Sequence, residues 1–256
     1  MIYNTVSEVS SAIKKDKFKG IVVYKGPSQI DGKPIVAIFN RIVTDSDNTK
    51  TGAMVQSWIM RSDMKPMDAL KTGADSSVCG ECPLRPINKA KLKAQKKRPC
   101  YVKVWQAPRS VYEAYKKGRY LVAGVDFPQD ITAAIFAGLA VRFGSYGDPY
   151  AVPLRFLAPI ARLAANFTGY THQWNRPDAL PYQSITMASV DNESDMQTAH
   201  ESNWRTFRTR DLSEPTTKTE FICPASKEAG VRTNCAACSL CAGTTKQAKS
   251  VVIAYH

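Results

Sequence analysis

Histidine and long apolar runs are the two features that this sequence of 256 residues has least of. Three histidines are too few for an enzyme that binds its metals mainly through imidazole, and no H-E-x-x-H pair occurs. The longest apolar stretch, residues 133–141, is about half of the ~20 residues that a membrane-spanning helix needs. The first residues show neither a basic nor an apolar signal region. We therefore expect a cytoplasmic protein without membrane contact.

Several catalytic signatures are also absent. The chain has no G-x-x-x-x-G-K-[ST] and no G-x-G-x-x-G segment, which excludes the usual phosphate-binding loops. It lacks H-x-E, which excludes the zinc deaminase pattern. A rolling-circle nickase needs a histidine pair for its metal, whereas His172 is followed by Gln173 and Trp174. What the sequence does contain is positive charge and cysteine.

Positive charge is concentrated in one part of the chain. Lysine and arginine total 35 against 22 acidic residues, which gives a net charge of +13. Residues 85–119 hold twelve of these basic residues and a single acid, Glu113. Such a segment can neutralise phosphates while aromatic side chains stack on bases, and the alternative is a solvated basic loop. The predicted contacts to DNA or RNA are Lys96, Lys97, Arg98, Lys103 and Arg109, with Tyr101, Trp105, Tyr112 and Tyr115 as stacking candidates.

The seven cysteines form two separate groups. A reducing compartment keeps cysteines as thiols, so we expect metal ligands rather than disulfides. The C-terminal group consists of Cys223 and the C-x2-C-x2-C run Cys235, Cys238 and Cys241. Four thiolates satisfy one [4Fe–4S] cluster or one tetrahedral zinc, and the shared middle cysteine favours iron–sulfur.

The first group, Cys79, Cys82 and Cys100, has no fourth cysteine. If the metal is zinc, a further ligand must complete the tetrahedron, and His172 and His200 are the interior candidates. If it is a [4Fe–4S] cluster, three thiolates leave one iron without a protein ligand. An iron of that kind is a reaction site.

The order of strand and helix signals predicts the fold class. Two β-like runs flank Asp31-Gly32, which predicts a hairpin, and residues 54–60 predict a third strand. From residue 100 onward strand and helix patterns alternate, as in βαβ units. We predict an α/β fold, a partial (βα) barrel or a mostly parallel sheet. The expected division is an N-terminal β-rich segment 1–70, a core 71–220 with the first cysteine group, and a cysteine-rich C-terminal tail 221–256.

One further stretch carries a resemblance. Residues 142–153 read R-F-G-S-Y-G-D-P-Y-A-V-P and resemble the strand-end G-G-E-P motif of radical SAM enzymes. In that family three cysteines hold a [4Fe–4S] cluster whose open iron binds S-adenosylmethionine. The resemblance implies that Cys79, Cys82 and Cys100 are cluster ligands. It also implies that the cofactor lies against Ser145, Gly147, Asp148 and Pro149, with Asp148 in place of the motif's Glu.

The resemblance covers residues 79–243. Members with auxiliary clusters carry extra cysteines near the C-terminus, which residues 223–241 resemble, whereas the seventeen residues between Cys82 and Cys100 depart from the family's C-x3-C-x2-C spacing. The chain is also similar to a divergent set of uncharacterised phage and plasmid proteins with a Tyr-Thr-His segment such as residues 170–172, which implies the host cytoplasm. Strand-end residues face the site in barrel enzymes. The candidate catalytic residues are Asp148, His172, Asp191 and Arg205.

Two hypotheses remain after these exclusions. The first is a radical-SAM-like iron–sulfur enzyme with one open and one closed [4Fe–4S] cluster, served by an electron donor and acting on or near nucleic acid. The second is a zinc-stabilised basic DNA- or RNA-binding protein of phage or plasmid origin, without catalysis.

Overall fold

The computed structural model describes residues 2–15, 17–43, 49–88, 90, 93 and 100–255. These residues form strands and short helices. The strands are β1 Gly20–Pro27, β2 Pro34–Asn40, β3 Val55–Arg61, β4 Leu121–Val122, β5 Ala140–Tyr146, β6 Asn166–Thr168, β7 Tyr170–Thr171, β8 Met187–Val190, β9 Thr206–Arg210, β10 Glu220–Ile222 and β11 Ser250–Ala254. The helices are α1 Val6–Lys14, α2 Pro66–Thr72, α3 Ser76–Cys79, α4 Ala107–Lys116, α5 Leu154–Leu163, α6 Glu193–Glu201 and α7 Cys235–Cys238.

The strands pair in two sheets. The first has the order β4-β1-β2-β3-β5-β6 and the second the order β10-β11-β9-β8-β7. Only β1–β2 and β2–β3 are antiparallel, and every other pair is parallel. The chain passes from one sheet to the other at Gly169, where a side chain would meet the carbonyl of Ile185 at 2.5 Å. The predicted α/β class with a mostly parallel sheet is confirmed.

The parallel strands follow one another in chain order. In the first sheet β3, β5 and β6 lie side by side, and in the second sheet β7, β8, β9 and β11 lie side by side. The carboxyl ends of these strands therefore lie at one edge, where α/β proteins place their ligand-binding residues. None of the described helices combines the length and the hydropathy needed to cross a membrane.

The predicted hairpin is present, with Gly32 at φ +75° in its turn. The N-terminal segment also contains α1, which the β-rich prediction omitted although the signal was there. Thr5 and Glu8 form a capping box, with Glu8 N donating to Thr5 Oγ1 at 3.2 Å. Val9 and Ile13 then pack one face of the helix into the core.

Other boundaries differ from the sequence pattern. The charged residues, proline and glycine of residues 61–76 predict a polar connector, but this stretch contains α2 and the first residue of α3, because Pro66 starts a helix as readily as it ends one. The sequence pattern also predicts a helix over 131–137, where the structure has two 3₁₀ turns, Gln129–Ile131 and Ala133–Phe136. The polar residues before position 193 predict a helix cap, and Asn192 caps α6, since its Oδ1 accepts a hydrogen bond from Asp195 N at 2.8 Å.

The two faces of the sheets are covered differently. Helices α1, α5 and α6 contribute to one large hydrophobic cluster with strands of both sheets. Side chains that alternate with these, such as Val36 and Met60, point to the opposite face and pack against α4. On the second sheet the corresponding alternate residues, Met187 and Val251, pack against Cys223 and Cys241.

Candidate metal centres

The first cysteine group lies at the carboxyl edge of the parallel strands. Cys79 is the last residue of α3, and the chain turns back so that Cys82 N donates to Cys79 O at 3.2 Å. Cys100 N donates to Leu84 O at 2.7 Å, which returns the chain to the same place after the long insertion. Burial raises the pKa of Cys79 well above its usual value, and the neighbouring Cys82, Asp75 and Cys100 raise it further.

A buried arginine fixes the turn between Cys79 and Cys82. Arg85 forms a bidentate ion pair with Asp75, with N···O distances of 2.6 and 2.9 Å. Its Nη1 also donates to Gly80 O at 3.3 Å. Arg85 is the first residue of the basic segment, and these contacts make it part of the cysteine turn rather than a free phosphate ligand.

The Gly147-Asp148-Pro149 segment follows β5 and lies against this turn. Asp148 N donates to Val78 O at 2.6 Å, one residue before Cys79. The Asp148 carboxylate is buried and accepts from Tyr150 N at 3.0 Å and from His172 N at 2.8 Å. Burial raises the pKa of Asp148, while these hydrogen bonds act in the opposite direction. Because both oxygens are engaged with backbone, Asp148 joins the ends of β5 and β7 to α3.

His172 and Asp191 come together at the same edge, at the ends of β7 and β8. His172 Nε2 lies 3.5 Å from Asp191 Oδ2, and the ring also contacts the Cys82 sulfur. Asp191 Oδ1 accepts from Thr209 Oγ1 at 2.6 Å. Burial alone would lower the pKa of His172, but Cys82 and Asp191 raise it well above its usual value.

Ser145 is near this edge, as the last residue but one of β5, but its hydroxyl donates to Gln56 Oε1 at 2.7 Å. Arg205 and His200 lie away from this edge. Arg205 precedes β9 and therefore lies at the amino edge of the strands. Its guanidinium donates to the carbonyls of Gly243, Ala248 and Lys249, each at 2.8 Å. His200 lies beside Ser250 and Thr206 near the same amino edge.

The four C-terminal cysteines line a single cavity of about 20 Å³. Its other walls include Thr168, Tyr170 and Val251. Cys223 follows β10, where its N–H donates to Val252 O at 2.8 Å, and Cys241 O accepts from Gly169 N at 3.1 Å. Burial raises the pKa of Cys241 to about 12, while a hydrogen bond from Tyr170 opposes that rise. The four cysteines thus border one cavity, and their role as ligands of one metal centre stays a prediction.

Arg142 connects the two groups and was missed by sequence reasoning. It lies in the middle of β5, where its Nη2 donates to the hydroxyl of Tyr101 at 2.6 Å, next to Cys100 in the chain. Burial works against the charge, but Tyr101, Tyr170 and Cys235 nearby raise the pKa of Arg142. Arg142 therefore lies between Tyr101, the residue after Cys100, and the C-terminal cysteine group. The available signal was a charged residue inside the apolar strand pattern of residues 139–143.

The basic segment is only partly described. Lys96, Lys97 and Arg98 lie outside the described residues, whereas Lys103 and Arg109 are exposed near and on α4. Arg109 forms an exposed ion pair with Glu113 at 2.7 Å. The four aromatic candidates differ in their exposure to solvent. Tyr101 is 69% and Trp105 56% exposed. Tyr112 is buried and Tyr115 partly buried in the cluster under α4.

The donor sets are suited to soft metals. Thiolates, with or without one imidazole, are the ligands of zinc and of iron–sulfur clusters. A carboxylate behind a histidine, as Asp191 stands behind His172, is the usual support for a metal-binding imidazole. In the described part of the chain, no three His, Cys, Asp or Glu side chains converge closely enough to define a site for one metal ion. All seven cysteines are free thiols.

Comparison with known proteins gives no relative: no family model, no curated protein and no solved structure matches the chain.

Proposed function

We propose that the chain is an iron–sulfur protein of radical-SAM-like architecture, with an open cluster on Cys79, Cys82 and Cys100 and a closed cluster on the four C-terminal cysteines. One observation carries this proposal. The three cysteines follow β3 and the Gly147-Asp148-Pro149 segment follows β5, the next strand of the parallel series, and the two loops are joined by the Asp148 N to Val78 O hydrogen bond. An open cluster with S-adenosylmethionine supplies one-electron radical chemistry when both are bound.

The residues of this chain have distinct parts in the proposal. Asp148 is a positioning residue, since both carboxylate oxygens hold backbone N–H groups of neighbouring loops. His172 lies beside the cysteines with its ring supported by Asp191, so it can hold or release a proton at Nε2. Arg205 has no part at this edge, because its donors are engaged at the other end of the strands. The basic segment next to Cys100 makes nucleic acid the proposed partner.

The closed cluster would stabilise the C-terminal fold or carry electrons from an external donor. Its four ligands come from loops that contact β6, β7, β10 and the 49–52 loop, where Lys50 O accepts from Cys235 N at 2.9 Å. Free thiols at both centres need a reducing compartment, which agrees with a cytoplasmic location.

A second candidate is favoured by the contact of His172 with Cys82. If His172 is the fourth ligand of the first group, that group is a closed Cys₃His zinc site, and the protein is a zinc-stabilised nucleic-acid-binding module. Asp191 would then orient the ligand imidazole through its other edge.

Anaerobic purification with metal analysis and visible spectra separates these candidates. The proposal expects about eight irons per chain and a brown colour that dithionite bleaches. It also expects a spectrum that S-adenosylmethionine perturbs. Zinc without colour would contradict the proposal and leave the second candidate.

The variant His172→Ala distinguishes the open-cluster proposal from the zinc proposal. On the open-cluster proposal it keeps the full metal content and the perturbation by S-adenosylmethionine. On the zinc proposal it loses one metal per chain. Cys223→Ser is the matched control, since both candidates expect it to lose the C-terminal metal only.

A further inference from the structure

Arg142 is a partly buried cation on an otherwise apolar stretch of β5. Its register neighbours are Gln56 on β3 and Thr168 on β6, and Thr168 lines the cavity of the C-terminal cysteines. One end of the guanidinium is held by Tyr101. The Nε atom is buried and has no hydrogen-bond partner among the residues that the structure describes.

Among the described residues, Arg142 lacks the carboxylate partner that other arginines of low exposure have. Arg85 and Arg208 each form a bidentate pair with a carboxylate, Asp75 and Glu220. No ion pair among the described residues includes Arg142. Arginine stays protonated in proteins. A cation with a buried, unpaired N–H group is costly unless an anion lies beside it, and no carboxylate of the described residues pairs with Arg142.

The groups close to Arg142 are two phenols and the Cys235 thiol. Four thiolates carry more negative charge than either one zinc ion or one oxidised four-iron cluster neutralises. A metal centre on the C-terminal cysteines is therefore an anion whichever metal it holds. Among the residues that the structure describes, these thiol groups are the nearest source of an anion for Arg142.

We propose that Arg142 is the partly buried counter-ion of the C-terminal thiolate centre and that it determines how tightly this centre holds its metal and how easily it is reduced. The proposal rests on a metal centre at these four cysteines, as in the proposed function, but not on the identity of the metal. If the centre is an iron–sulfur cluster, reduction adds negative charge, which a nearby cation favours. Loss of the cation should then lower the reduction potential.

The surroundings of the centre also offer an exposed cation for comparison. Lys50 lies near Cys223 and Cys235, and its side chain is exposed to solvent. Solvent screens an exposed charge much more than a buried one. Removing the charge of Lys50 should therefore affect the centre far less than removing that of Arg142.

The test uses the full chain with Cys79→Ser, so that the C-terminal centre can be followed alone. Arg142→Met removes the charge, Arg142→Gln removes it but keeps a donor for Tyr101, Arg142→Lys keeps it, and Lys50→Met is the exposed control. The rate of metal release to a chelator and the reduction midpoint in a potentiometric titration are measured after far-ultraviolet circular dichroism has established folding.

We expect the Met and Gln variants to release metal about tenfold faster or more, since unpairing a buried charge acts mainly on the off-rate. The Lys variant and the Lys50 control should stay within about threefold of the background protein. In the iron form, a tenfold shift of the reduction equilibrium corresponds to about 59 mV for one electron.

Release at the background rate from both neutral variants would overturn the inference. So would an Arg142→Lys variant as impaired as Arg142→Met, because shape rather than charge would then matter. If Arg142→Met does not fold, the Gln and Lys variants decide the question. Zinc instead of iron would refute the proposed function while leaving the release comparison valid. A protein that binds neither metal would refute both.

Discussion

The two cysteine groups use the same side chain in different surroundings. Cys79, Cys82 and Cys100 lie at the carboxyl edge of the parallel strands, beside polar side chains of other loops such as His172 and Gln173. The C-terminal four lie over a sheet face, among Tyr170, Leu240 and Val251. One group is short of a fourth thiol and is bordered by loops that follow several parallel strands. The other is complete in itself and built into an apolar cluster.

On the proposed function, this contrast would separate a site for chemistry from a site for stability. A closed four-thiolate centre adds its binding free energy to folding, because the unfolded chain cannot hold the four ligands together. An incomplete centre at a strand edge adds less to folding and leaves a position for an external ligand. Variants of the two groups should therefore differ in metal content and in stability, and equal effects would remove this distinction.

The largest expected effect comes from deleting one ligand in each group. Cys241→Ser should lose the C-terminal metal and lower the free energy of unfolding by on the order of 5 kcal/mol. Cys79→Ser should lose the first metal but cost only about 1–2 kcal/mol, because the α3 turn keeps its Arg85 and Asp148 contacts. Metal analysis and anaerobic chemical denaturation measure both quantities. Equal losses of stability would remove the distinction between the groups.

The next largest effect concerns the scaffold of the C-terminal group. Glu220 begins β10, which leads into Cys223, and its buried carboxylate pairs with Arg208 at 2.8 and 2.9 Å. Glu220→Gln should cost about 3–5 kcal/mol at neutral pH because it leaves Arg208 without its anion. Glu214→Gln is the matched control, since Glu214 meets the same arginine from an exposed position at 3.4 Å and should cost under about 1 kcal/mol.

The Glu220 pair also gives a pH dependence. Burial alone would raise the pKa of Glu220, but hydrogen bonds from Arg208 and Thr217 outweigh it and lower the pKa. A lowered pKa stabilises the fold above the unfolded value of about 4.3, and this contribution is lost as the pH falls through the folded-state value. Denaturation midpoints at several acidic pH values should therefore fall less steeply for Glu220→Gln than for the wild-type chain. Parallel curves would contradict this assignment.

The local parts of the fold and of the candidate site could be predicted from the sequence. The hairpin at Gly32, the Asn192 cap and the placement of Cys235, Cys238 and Cys241 along one cavity each depend on residues close together in the chain. Their physical causes, turn geometry, capping and short ligand spacing, are visible in the sequence. The mostly parallel sheet followed from the alternation of strand and helix patterns.

The long-range parts could not be reached in this way. The Asp148 N to Val78 O bond joins residues 70 positions apart, and the contact of His172 with Asp191 depends on which strands are neighbours. Arg205 illustrates the same limit, since it directly precedes β9, and only the parallel pairing of β9 with β8 and β11 shows that it lies at the amino edge. Tyr112 and Trp105 look alike in the sequence, yet only one faces solvent.

A smaller effect is expected in the Gly147-Asp148-Pro149 segment, which lies against the first cysteine group. Gly147 has φ +80°, and a Cβ there would lie 2.4 Å from Ile59 O. Gly147→Ala should cost about 3 kcal/mol and reduce metal at the first group only, because backbone must move. Gly138→Ala has a similar φ of +74° with nothing within 4 Å, and should cost about 1 kcal/mol without metal loss. Similar metal contents in both variants would show that the 147–149 loop does not shape the first centre.

The smallest expected effect leaves both proposed metal centres intact. It tests whether nucleic acid, the proposed partner, binds beside the first cysteine group. Trp105 is exposed and lies five residues after Cys100, whereas the buried Tyr112 belongs to the cluster under α4. Trp105→Ala should weaken binding of a labelled single-stranded oligonucleotide by about 1–3 kcal/mol, since stacking is worth that much per base. Lys103→Glu should flatten the salt dependence by about one phosphate contact. Tyr112→Phe, the control, should bind like the wild type in anisotropy titrations. Unchanged binding by both exposed variants would show that the basic segment does not bind nucleic acid beside the first group. The first group would then be expected to act on small molecules only.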